Sequence, residues 1–289
     1  MVTKNERMNV MKFDVIISSK RKWFDFNFKE LFRYRDLIFM FVKRTFVSQY
    51  KQTVLGPIWA IVQPLLTTIV FTIIFGGIAQ LPTDGIPSFI FYLCGNIVWT
   101  FFSTSLISIS NTFISNAPIL GKVYFPRLVM PISTVLSQII SFLIQFIFLL
   151  IVLLYSYING TLSININFSV FLIPILLIQM TLLSLGCGII ISSLTTKYRD
   201  LAMLVSFGTQ LWMYASPVVY STSLLPSSFL NIYMLNPMAP ILDAFRYSCL
   251  GIGSLQIKYY FISWIITLMI LFLGVVLFNR VEKNFMDTI

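Results

Sequence analysis

Residues 116–127, NAPILGKVYFPR, decide how the rest of this chain is read. Two prolines, a lysine and an arginine fall within twelve residues of an otherwise oily sequence. Upstream, no charge lies between Asp84 and Lys122; downstream, none lies between Arg127 and Lys197. Such a break between long apolar blocks is a loop with an apolar span on each side.

Working outward, 57% of the 289 residues are hydrophobic and 10% are charged. Soluble domains carry about 25% charged residues, so this is a membrane protein. A transmembrane helix needs about 20 apolar residues. Six blocks qualify: roughly 58–79, 89–110, 129–158, 168–194, 201–219 and 260–278. The expected fold is an all-α polytopic membrane protein with six transmembrane helices.

The formal charge is +10, but 12 of the 20 basic residues lie before residue 52. That places the charge at one membrane-facing end, with no nucleic-acid partner implied. Lys122, Arg127, Lys197, Arg199, Arg280 and Lys283 fall on the same side of a six-span chain as the basic N-terminal segment. The opposite loops LPTDGIPS and SYINGTLSININ hold no Lys or Arg, and only Arg246 and Lys258, in the long segment after span five, fall outside the pattern. The positive-inside rule then predicts cytoplasmic N and C termini.

Residues 1–28 read as a cytoplasmic segment and 29–52 as an amphipathic interfacial helix, with 53–289 as the transmembrane domain. Leu31, Tyr34, Ile38, Phe41 and Phe46 recur at helical spacing, and Arg33, Arg35, Lys43 and Arg44 interrupt them. A longest apolar run of 37–42 cannot span, so the helix lies in the interface. Leu55-Gly56-Pro57 turns the chain into the first span, which Pro64 should kink. Prolines 217, 226, 237 and 240 chop up 216–258, which reads as two short re-entrant helices at the outer side. Asn236 and Pro237 look like a helix cap and first turn. Asp243 and Arg246, three apart, meet on one helix face, either neutralising each other or forming an outer gate.

Histidine is absent, and Cys94, Cys187 and Cys249 have no metal-ligand spacing. No metal site is predicted. The chain has no GxxxxGK[ST] loop, and its spans carry no Asp or Glu for a proton relay. An enzyme or an ion-coupled carrier is disfavoured. Among the aromatics, Trp59, Phe71, Phe75, Trp212 and Tyr214 are candidates to line a channel; core packing and interfacial anchoring are the alternatives.

Four stretches then carry a resemblance. SQYKQTVLGPIWAIVQPLLTTIVFTIIFGGIA, NAPILGKVYFPRLVMPIS, LTTKYRDL and MYASPVVYSTSLLP with LNPMAPILDAFRYSCLG occur in that order. Together they resemble the membrane (permease) subunit of type-2 ABC transporters that export polysaccharide, the O-antigen and teichoic acid exporters. Asp243 departs from that pattern, where Glu is expected. The resemblance implies a homodimer of permeases in the bacterial cytoplasmic (inner) membrane, paired with two copies of a separate ABC ATPase. No cofactor is bound by this chain; ATP and Mg enter through the ATPase. The substrate implied is a polyprenyl-diphosphate-linked glycan, and the alternative is a permease exporting a drug or lipid. Residues 116–127 become a coupling loop, with a short helix over 118–124 that starts at Asn116 and ends at Pro126. Pro118, Ile119, Leu120, Lys122, Val123, Tyr124, Phe125 and Arg127 would meet the ATPase. Arg33, Arg35, Lys43 and Arg44 would attract anionic membrane lipid or the substrate's diphosphate. Arg199 and Asp200 would cap the other cytoplasmic loop.

Overall fold

The computed structural model describes residues 28–51, 53–161, 168–195, 198, 200–251 and 256–281. Most of the N-terminal segment, and Arg199 of the cytoplasmic loop, therefore lie outside the described residues. All regular structure among the described residues is helical. Five helical stretches are long and apolar enough to cross a membrane: Gly56–Ile78, Ser88–Ser110, Val129–Ile158, Ser169–Thr195 and Ile257–Arg280. The block at 201–219 forms a helix of only 14 residues, Leu201–Tyr214.

In chain order the helices are α1 (Phe28–Arg33), α2 (Arg35–Tyr50), α3 (Trp59–Phe71), α4 (Ser88–Ser110), α5 (Thr112–Leu120) and α6 (Val129–Ile158). They continue with α7 (Leu172–Thr195), α8 (Leu201–Tyr214), α9 (Ser227–Tyr233), α10 (Met238–Leu250) and α11 (Ile257–Val281). The expected single interfacial helix is thus two, broken at Tyr34. Ile38 and Phe41 turn its apolar stripe inward, and α2 lies along α6. Phe32, Phe39 and Met40 stay exposed beside Arg33, Arg35, Lys43 and Arg44. Gly56, at φ +54°, makes the turn into α3, where a side chain would be strained.

Helix α3 runs unbroken through Pro64 and then loosens into a π-helical stretch, Thr72–Ile78. Proline cannot donate its missing N–H, yet its carbonyl is well used. It accepts from the Thr68 hydroxyl at 2.7 Å and from Asn96 Nδ2 at 2.8 Å. Asn96 belongs to α4, so this bond ties the two helices together inside an apolar core.

Helix α4 is the axis of the bundle. Its span is 78% buried, against 22% for the first and last spans. It contacts α3, α6, α7, α8 and α10. Small residues let the other helices close in. A Cβ on Gly186 of α7 would lie 2.8 Å from the Leu271 backbone of α11. The reciprocal Cβ on Gly274 would lie 2.8 Å from Gly186 O, so backbone meets backbone there.

The two ends of the bundle differ chemically. At one end the α7 terminus meets the α4 terminus through Thr195 Oγ1, which donates to Ser110 O at 2.7 Å. Phe113 of α5 stacks on Phe278 of α11, with ring centroids 5.5 Å apart. Phe125 packs on Phe41 of α2 at 5.7 Å. Arg33, Arg35, Lys43, Arg44, Lys122, Arg127 and Arg280 all belong to this end. The loop around Asp84 and the segment 216–224 meet at the other.

Candidate functional site

At the basic end the predicted short helix is displaced. It spans Thr112–Leu120, not 118–124, and Pro118 sits inside it. The reason is continuity with α4. The intervening Asn111 keeps φ −99° and ψ −1°, so carbonyls of the preceding turn already receive the N–H groups. Ser115 N–H, for example, donates to Asn111 O at 3.0 Å. Asn116 has no orphan donors to cap, and its side chain donates back to Thr112 O at 2.8 Å. Pro118 is exposed; Ile119 and Leu120 pack against the core, as does the buried Phe125. What projects is the turn itself: Lys122 is exposed, Val123 is 58% exposed and Tyr124 61%. Two large side chains and one ammonium thus stand exposed at the tip of the turn.

At the opposite end Asn236 is a hub. Its Oδ1 accepts from the Met238 N–H at 3.1 Å, capping α10 as expected. The same oxygen accepts from Trp212 Nε1 at 3.0 Å. Its Nδ2 donates to Ala215 O at 3.0 Å and Ser216 Oγ at 2.9 Å. The end of α8 is therefore fastened to the start of α10, with Pro237 buried between them. Pro237 O accepts from Ser263 Oγ, which itself accepts from Gln179 Nε2, each at 2.8 Å.

The expected Asp243–Arg246 ion pair does not form, whereas Arg35 and Asp36 make an exposed contact at 3.8 Å. Arg246 is 5% exposed. Its Nη2 donates to Val218 O at 2.8 Å, and its guanidinium lies 3.8 Å over the Phe91 ring. Nε and Nη1 have no hydrogen-bond partner. The arginine turns toward α4 because Gly95 leaves room: a Cβ there would sit 2.6 Å from Nη2 and 2.7 Å from Val218 O. Burial pushes the Asp243 carboxyl up to about 6, against the opposing pull of Arg246 and a hydrogen bond from Thr222. Burial likewise lowers Arg246, with Asp243 acting against it. Asp84, not singled out in the sequence, supplies a further anchor. It accepts from the Ser221 hydroxyl, and from Ser223 Oγ at 2.8 Å. Its φ of +55° shows a turn held by these bonds. A lone acid in an apolar loop was the available signal.

The aromatic candidates scatter. Phe71 is buried against Phe75 and Tyr92. Trp212 packs edge-on against Trp99 and Phe102. These two rings are committed to the inside of one subunit. Trp59 and Tyr214 are about half exposed, at 48% and 51%.

This architecture, a helical bundle with a basic elbow at one end and short proline-bounded helices at the other, is that of a membrane permease. The chain belongs to the ABC-2 type transporter family, whose model matches residues 36–250. It is a multi-pass protein of the inner membrane and a transport subunit. It is similar to an O-antigen export system permease protein RfbA of Klebsiella pneumoniae, 30% identical over 254 residues, 87% of this chain and 94% of the relative. A second Klebsiella pneumoniae protein of that name is 29% identical over 253 residues, with the same coverage of both chains. The Myxococcus xanthus protein of that name is 28% identical over 221 residues, 75% of this chain and 82% of the relative.

Proposed function

We propose that this chain is the permease half of an ATP-driven exporter that moves a polyprenyl-diphosphate-linked glycan out of the cytoplasm. The observation that carries the reading is the likeness to O-antigen export permeases along 94% of their length. Two copies form the channel and two copies of a separate ABC ATPase drive it. The exposed apolar faces of α3 (Leu66), the π-helical stretch after it (Ile73, Ile78) and α8 (Met203, Phe207, Leu211) support pairing through these helices. The basic end faces the cytoplasm by the positive-inside rule. There α5 and the Lys122–Tyr124 turn enter a groove on the ATPase, and the basic face of α2 meets the anionic lipid surface. ATP and Mg act in the ATPase; this chain converts its closure into movement.

Helix α8 is the sixth crossing in this arrangement. At about 1.5 Å per residue its 14 residues cover about 21 Å, short of the roughly 30 Å hydrocarbon core. A short crossing is tolerated where it lines a wet cavity instead of lipid. Helices α9 and α10, at 7 and 13 residues, are too short to cross and close the outer end as re-entrant elements.

Reconstitution tests the reading. The chain is placed in vesicles with a candidate partner ABC ATPase, and movement of a lipid-linked glycan is followed. Export should require ATP and fall at least tenfold in Tyr124→Ala combined with Val123→Asp. Export by the purified chain without any ATPase would overturn the proposal.

A further inference from the structure

Between the basic end and the middle of the bundle, α2, α3, α4 and α6 converge on a cavity of about 310 Å³. That is at the lower edge of the roughly 300–1,000 Å³ typical of small-ligand sites. We propose that it binds a neutral sugar ring.

The lining has an unusual chemistry for a chain this apolar. Gln63, Gln138, Gln145 and Ser141 face it, alongside the rings of Trp59 and Phe101. No charged side chain lines it among the described residues. Residues 138, 141 and 145 occupy one face of α6 at helical spacing. Carboxamides both donate and accept, and hydroxyls do the same. A ring of hydroxyls presents that pattern around its rim, while its C–H faces suit an aromatic wall. A diphosphate would seek Arg or Lys, and the cavity has neither. An acyl chain would leave the amides unsatisfied in an apolar surround.

Gln145 is the second observation. Its side chain is 6% exposed, yet its Oε1 has no hydrogen-bond donor. A buried carbonyl oxygen without a donor is rare in a native fold, and this one belongs to a residue of the cavity wall, although the oxygen itself is turned away from the open space. Rotation of the carboxamide toward the cavity would let an incoming hydroxyl supply the missing donor. One wall is closed by the Tyr50 hydroxyl against Ser141 Oγ at 3.2 Å, which bridges α2 to α6. The site therefore sits between α2 and the first three spans. Identifying the ring as part of the exported glycan rests on the export reading above; the chemistry of the cavity does not.

The test uses the permease–ATPase complex in phosphatidylethanolamine nanodiscs. Saturation-transfer NMR is recorded with methyl β-glycosides of glucose, galactose and mannose. At least one glycoside should receive saturation on its ring protons. Gln145→Leu should weaken that apparent affinity about fivefold, the factor for one hydrogen bond. Gln138→Leu should do the same and serves if the first variant unfolds. No transfer to any glycoside, or transfer unchanged in both variants, overturns the proposal. A second arm adds phosphatidylglycerol: if its glycerol headgroup abolishes the glycoside signal at stoichiometric amounts, the occupant is lipid and the sugar assignment fails. Glycan export is measured in parallel. Export without glycoside binding defeats only this inference, whereas glycoside binding without export defeats only the export reading.

Discussion

Replacing Gly95 with alanine should destabilise the outer end of the bundle selectively. The added methyl would lie 2.6 Å from Arg246 Nη2 and 2.7 Å from Val218 O, closer than any relaxed contact. Those two atoms are the donor and acceptor of the one hydrogen bond that holds the buried guanidinium, at 2.8 Å. The methyl must wedge them apart. Losing a hydrogen bond to a charged group costs about 1.5–3 kcal/mol, and overpacking costs about 1–3 kcal/mol. A total of about 2.5–6 kcal/mol corresponds to a fall of roughly 5–24 °C in unfolding temperature at about 2–4 °C per kcal/mol. The assay is a thermal scan with a thiol-reactive dye, since Cys94 is fully buried and becomes reactive as the bundle opens. Gly208→Ala is the control. A Cβ there meets nothing within 4 Å, and it lies inside α8, so alanine should be neutral or stabilise by up to about 1 kcal/mol. Combining Gly95→Ala with Arg246→Met should give less than the sum of the two single losses, because both act on one contact. A fall below 2 °C, or strict additivity, would refute the account of why Arg246 faces α4.

Gly186→Ala should lower the unfolding temperature more than any other single glycine change at the α7–α11 seam, because its Cβ meets backbone that cannot swing aside; equal stability would mean the seam is looser than described. Phe125→Ala should cost about 3–5 kcal/mol, since the ring is 5% exposed and packs on Phe41. Tyr124→Ala, at an exposed tip, should leave unfolding unchanged while lowering ATP-driven export, and the same scan and the vesicle assay read both. Asp243 gives a pH dependence. Its carboxyl rises from 3.8 to about 6 on folding, so the folded state holds its proton more tightly. That contribution is fully present below about pH 4 and is lost as pH rises through 6. Unfolding temperature should therefore fall between pH 4.5 and 7 in the wild type relative to Asp243→Asn, and a difference that is flat or rises with pH contradicts it.

Several features were legible without coordinates. The blocks at 89–110 and 129–158 match α4 and α6 to within a residue, because apolar length and flanking breaks are properties of one segment. The amphipathic helix at α2 was legible too, since its apolar stripe and its cations lie on one segment. The block at 201–219 overstated its helix: α8 stops at Tyr214, where the Ser216-Pro217 turn and the Asn236 hub take over the backbone groups. The coupling helix was misplaced because Asn116 and Pro118 look like a start signal only if the chain before them is not already helical. Asp243 and Arg246 have the spacing of a pair, but spacing says nothing of the space Gly95 leaves on another helix.

The sequence alone determined that the chain lives in a membrane, where its five long spans lie and which end is basic. These follow because transfer of a segment from water to lipid is close to a sum over its own residues. The tertiary structure decided which rings are buried inside one subunit, what holds Arg246, which two side chains project from the elbow at 122–124, and that four helices enclose a cavity of amides. Each of those is a relation between residues far apart in the chain, and only close packing brings them together.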